Sequence, residues 1–276
     1  MRVAELVEAA SHELIAEMEK ATPPGAVAKN APETIPDLLC EFARQLAAQI
    51  PVLNHSTRWD RDGWREGIGR RDDLRDDAKA ALLEAVARLG NLVSAGELSR
   101  GQIFQLRLDE DPILFFLGAM AWGYPEHGYG WWRVATIANR YSVDDLRNRL
   151  QRQIAAAAES PLDAWEAWSS IARLRGLGTA FASKLAYFAG TNPETGRGGP
   201  LIADRNTAWA IWAFAEDLDH SRTDPKRYVR YVDTLQRWAG GGRADELEHA
   251  LFRLGPRVIK RWEQELLVRG ESGGSA

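Results

Sequence analysis

A chain of 276 residues, 45% of them hydrophobic, with a net charge of −4 is long enough and apolar enough to bury a sizeable core. No run of eighteen apolar residues occurs and the first twenty residues are acidic and amphipathic, so neither a membrane span nor a signal peptide is expected, and the reading is a cytoplasmic protein. One cysteine, Cys40, excludes an internal disulfide, and five scattered histidines lack metal-ligand spacing, so no metal or cofactor is expected.

Apolar residues at three- and four-residue spacing predict a first helix over 2–19 (Val3, Leu6, Val7, Leu14, Ile15, Met18) and a second over 35–49 (Leu38, Leu39, Phe42, Leu46). Breaks at Thr22–Gly25 and Ala31-Pro32 separate them. From Pro51 to Asp73 the chain is polar, with Trp59 and Trp64 embedded. That stretch reads either as a loop folded over a cleft or as a long connection anchored by its tryptophans. Helices follow over 76–89 and 95–107, then a strongly apolar one over 111–121 with Pro112 in its first turn. It runs straight into Trp122, Tyr124, His127, Tyr129, Trp131 and Trp132, interspersed with glycines. Further helices are predicted over 131–140, 143–157, 161–173, 179–189, 205–217, 224–238, 243–253 and 256–268. Gly240–Gly242 and Gly255-Pro256 read as breaks, and 271–276 as a flexible tail. No period-two pattern persists and no internal repeat is evident, so the fold class is all-α.

The most informative stretch is 171–214. Ile171 and Ala172 close a helical pattern, Leu174-Arg175-Gly176-Leu177-Gly178 makes a tight turn, and a second helix begins near Thr179. The free N–H groups of that turn and helix start suit a phosphate. At 100° per residue Lys184 falls within the apolar stripe of Phe181, Leu185 and Phe188. Either it snorkels to water along the stripe edge, or its amine is withdrawn from water. Burial disfavours the charged form of an amine, and a neutral amine is a nucleophile able to form a Schiff base. Farther on, Pro200-Leu201-Ile202-Ala203-Asp204 leads into another helical pattern, with Asp204 at the N-cap position. It reads as a helix cap, or as a carboxylate held ionised by those same N–H bonds and available for chemistry.

Leu-x-Gly-x-Gly, a helix bearing a lysine, and then Gly…Pro…Asp about twenty residues later resembles the helix-hairpin-helix DNA glycosylases, closest to their archaeal and bacterial 8-oxoguanine glycosylase branch. The resemblance implies two helical subdomains, roughly 1–140 and 141–270, with DNA crossing a cleft between them. Lys184 would be the nucleophile and Asp204 the catalytic carboxylate. Gly176, Leu177, Gly178, Thr179, Ala180, Arg175 and Arg205 would contact DNA. In the better-known 8-oxoguanine glycosylases the lysine follows the hairpin almost directly, where this chain has Ala180; Lys184 lies one turn later on the same helix face, about 6 Å away. The usual Pro-Val-Asp is loosened to Pro200…Asp204 by an insertion over 191–199. With one cysteine, the four-cysteine iron–sulfur cluster of some relatives is excluded.

Enzymes that excise a base flip it from the duplex and hold it between flat side chains, so Trp122, Tyr124 and Trp131 are candidate pocket residues, packing between helices being the other reading. Charge is uneven. Residues 1–120 carry 14 Lys+Arg against 20 Asp+Glu, whereas 121–276 carry 21 against 19. Phosphate attraction acts within a Debye length of about 10 Å, so a cationic hairpin in an acidic protein is compatible with DNA. The expected partner is duplex DNA containing a modified base, bound by a monomer. Expected activities are excision of a damaged base such as 8-oxoguanine, with or without strand scission, or removal of bulky modified bases from phage DNA. A non-catalytic DNA-binding module is the reading from another class.

Overall fold

In the computed structural model the described residues are 2–21, 33–93, 96–124, 129–169, 173–214 and 224–272, without side chains for 21, 212–214 and 261–272. Several expectations lie outside them: the breaks at Thr22–Gly25 and Ala31-Pro32, Pro125 to Gly128 of the aromatic run, Ile171 and Ala172, the end of the 205–217 helix, and most of the tail. Among the described residues there are thirteen α-helices and one two-stranded sheet. The protein is all-α.

Two units can be recognised. One comprises residues 52–194 with 198–201. It holds η1 (Val52–Asn54), β1 (Ser56–Arg58), α3 (Arg61–Gly69), α4 (Asp76–Leu92), β2 (Glu97–Ser99), α5 (Arg100–Leu106), α6 (Pro112–Gly123), α7 (Tyr129–Ala138), α8 (Val143–Glu159), α9 (Pro161–Ser169) and α10 (Thr179–Gly190). The other comprises 1–51, 195–197 and 202–276, with α1 (Val3–Ala21), α2 (Thr34–Gln49), α11 (Arg205–Phe214), α12 (Pro225–Trp238) and α13 (Ala244–Ser272).

The first unit is built on α6. Every residue from Pro112 to Trp122 is buried, so this helix is apolar all round, and α4, α5, α7, α8 and α10 pack on it. Asp111 caps it by accepting from the Ile113 amide, with Pro112 just inside. Helix α10 is almost as deeply buried and is covered by α5, α6, α8 and α9. Its last residue, Gly190, is set by α8: a Cβ there would sit 1.9 Å from the Ala157 carbonyl oxygen. Backbone cannot yield as a flexible side chain does, so Gly190→Ala will cost about 3 kcal/mol, the upper end for overpacking. The urea midpoint checks this, and an unchanged midpoint contradicts the packing.

The 51–73 stretch is not a loop. It contains η1, β1 and α3, with Trp59 and Trp64 buried, which is the anchored alternative with added regular structure. The helix expected over 95–107 is also shorter. Glu97–Ser99 pairs antiparallel with Ser56–Arg58, and Ser99 then opens α5 through a capping box with Gln102. Three-residue strands are too short to leave a period-two signature.

In the second unit α13 packs on α1, α2, α11 and α12. It runs unbroken through Gly255-Pro256, where a break was expected. The proline forfeits one helical bond, but Gly255 lets the helix meet α11 closely, since a Cβ there would lie 2.0 Å from the Asn206 carbonyl oxygen. Tertiary packing holds the helix where local propensity would end it.

Candidate active site

The hairpin between α9 and α10 is described from Arg173 onward. Gly176 takes φ +94°, a left-handed conformation open to glycine, whereas Gly178 has φ −82° and acts as N-cap of α10. Having no side chain, Gly178 leaves the first amides of α10, those of Thr179 and Ala180, without a side-chain cap, and a Cβ there would meet nothing within 4 Å. That gives an outside group open access to the backbone. Two side chains pin the turn from beneath. The Tyr141 hydroxyl accepts from the Arg175 amide (2.7 Å) and the Trp168 indole donates to the Leu177 carbonyl (3.2 Å). Leu177 is buried as an anchor, while the Arg175 side chain is exposed.

Lys184 is only 7% exposed, on the second turn of α10 between buried Ser183 and Leu185. Its Nζ lies 5.4 Å from the centre of the Phe181 ring. The last turn of α6 packs against the same two side chains. A Cβ on Gly123 would fall 2.5 Å from Phe181 Cε1 and 3.2 Å from Lys184 Cδ, so glycine there makes room for the lysine stem. Phe181 was legible from sequence as a member of the same helical stripe, whereas Gly123 was not, because its contact is between helices remote in the chain.

The three aromatic candidates fare differently. Tyr124 stacks on Phe181 (4.1 Å, 18°), one ring away from the Lys184 amine. Trp122 is 4% exposed, its indole donates to the His55 carbonyl (3.2 Å), and its ring meets His55 and Phe188 edge-on. Trp131 covers Gly67 of α3, where a Cβ would clash with its ring at 2.3 Å. Of the three, Tyr124 is the one the fold brings beside Lys184.

Asp204 belongs to the other unit. Its Oδ1 accepts from the amides of Asn206 (3.0 Å) and Thr207 (3.2 Å), as a cap of α11 should. The Thr207 hydroxyl returns the contact, accepting from the Asp204 amide and donating to the Asp204 carbonyl. A threonine three residues past the cap was a legible signal for this reciprocal arrangement. Tyr231 of α12 was not legible; its hydroxyl donates to the Ile202 carbonyl (2.9 Å), fixing the approach to Asp204. Complete burial pushes the Tyr231 hydroxyl well above the ordinary phenol range, with Glu248, Tyr228 and Asp204 adding to the effect, so it stays a donor at any working pH. Arg205 is exposed, its guanidinium 4.7 Å over the Trp209 ring.

Among the described residues no group of three or more His, Cys, Asp or Glu is arranged to hold a metal, and no helix is long and apolar enough to cross a membrane. Comparison with curated proteins and with solved structures gave no match. A family model does match: that of the family described as "Putative 8-oxoguanine DNA glycosylase OGG-like protein", over residues 50–252. The matched stretch is well over half of the chain and contains the Gly176 hairpin, Lys184 and Asp204, so this protein belongs to the OGG-like family.

Proposed function

We propose that this protein is a DNA glycosylase that excises a modified base from duplex DNA, with Lys184 as nucleophile and Asp204 as the catalytic carboxylate. The observation that carries the reading is a lysine amine buried on the helix that follows an uncapped glycine hairpin, in a chain of the OGG-like family. Breaking an N-glycosidic bond builds positive charge at the anomeric carbon, and the Asp204 carboxylate stabilises that charge. The Lys184 amine adds to the same carbon as the bond to the base breaks. The electron pair of that bond leaves with the base, which takes up a proton. Loss of a proton from nitrogen and opening of the sugar ring then give a Schiff base, from which elimination of the 3′ phosphate cuts the strand. Backbone amides at Gly176, Gly178, Thr179 and Ala180, and the side chains of Arg175 and Arg205, are the groups that contact DNA phosphates. Tyr124 and Phe181 offer flat faces to the extruded base.

The test is base release from duplex oligonucleotides carrying a panel of modified bases, 8-oxoguanine among them, set beside hypermodified phage DNA. Release of one modified base with undamaged duplex left intact is the expected result. A tight purine slot predicts 8-oxoguanine, and a roomy one predicts the bulky phage bases. Binding without release from any substrate would make the protein a DNA-gripping module instead.

A further inference from the structure

Tyr129 and Trp132, both on α7, are the only large aromatic side chains conspicuously exposed among the described residues, at 44% and 39%. They stand three residues apart on one helix face and stack on each other, centroids 5.3 Å apart at 26°. The Arg133 guanidinium lies 5.1 Å from the Tyr129 ring centre and 5.9 Å from that of Trp132, and it donates to the Tyr129 hydroxyl. Beneath them the edge of Tyr124 meets Tyr129 (5.5 Å, 77°), Tyr124 stacks on Phe181, and Phe181 carries the Lys184 amine. A continuous run of rings thus leads from solvent to the candidate nucleophile, all within one unit.

We infer that Tyr129, Trp132 and Arg133 form a stacking platform for an unpaired nucleobase of the bound DNA, separate from the pocket that receives the excised base. Two flat rings open to water beside a guanidinium suit a base and its phosphate, because every base has a π-face and arginine pairs with phosphate oxygens. Its continuity with Tyr124 and Phe181 places it where a strand opened at the target site would present a base. The inference rests on the proposed reading that DNA is opened beside Lys184, but not on the Lys184 amine attacking carbon.

The test is equilibrium binding of the full chain, by fluorescence anisotropy at fixed salt, to a fully paired duplex and to the same duplex with one bulged adenine. The wild type is expected to prefer the bulged duplex. Trp132→Ala will weaken binding to the bulged duplex about tenfold, in the range of one lost base–aromatic stack, while changing the paired duplex less than about twofold. Trp132→Phe, which keeps a ring, will restore most of the preference, and Tyr129→Ala will lose it. No preference in the wild type, or an equal loss on both duplexes, would overturn the platform. Base release is not read in this experiment, so a platform that holds in a protein releasing no base would refute the glycosylase reading alone.

Discussion

Borohydride added during turnover will trap a covalent protein–DNA adduct with the wild type, and neither Lys184→Ala nor Lys184→Arg will form it. Arginine is similar in length but remains protonated at any accessible pH, so it cannot attack carbon. Base release in both variants should fall on the order of a thousandfold or more, the scale on which removing a covalent nucleophile acts. Lys184 lies against Phe181 and Gly123, so truncation to alanine also removes packing. Lys184→Met, similar in length and uncharged, separates the two effects: it should keep the wild-type melting temperature and still give no adduct. An adduct that persists in Lys184→Arg, or one absent even from a wild type that releases base, would rule out the lysine mechanism and leave Asp204 activating water.

Replacing Asp204 by Asn should reduce turnover by about a hundred- to a thousandfold while leaving DNA affinity and thermal stability close to wild type. The reason lies in the double role of the carboxylate. As a cap it accepts from the amides of Asn206 and Thr207, and asparagine supplies an oxygen in the same place with nearly equal capping strength. As a charge it has no substitute in the amide. Asp204→Ala should show both losses, the catalytic one and about 1 kcal/mol of stability from the missing cap. Steady-state kinetics beside thermal melts distinguish them. Unchanged turnover in Asp204→Asn would reduce this residue to a helix cap.

Most helices were legible because their causes are local. The Asp111-Pro112 start of α6, the turn before α10 and the Asp204 start of α11 are set by neighbours within a few residues, through caps, positive-φ glycine and apolar spacing. The errors share one cause. Short strands β1 and β2 pair across intervening helices α3 and α4, and helix α13 continues past Pro256 because α11 lies against Gly255. Neither effect is written in adjacent residues. The aromatic run after α6 was visible as composition, but composition could not say that Trp122 faces the core, Trp131 covers Gly67, and Tyr129 with Trp132 faces water.

By itself, then, the sequence determined an all-helical protein of the OGG-like family and the motif pair that carries its proposed chemistry, since helix periodicity, turn glycines and caps act over one or two turns of chain. The tertiary structure decided what surrounds each member of that pair. Lys184 is enclosed by Phe181 on its own helix and by the end of α6, and the approach to Asp204 is secured by a tyrosine from α12. Burial of an amine and orientation of a carboxylate depend on side chains brought close in space from distant parts of the chain, and no local pattern of residues encodes that.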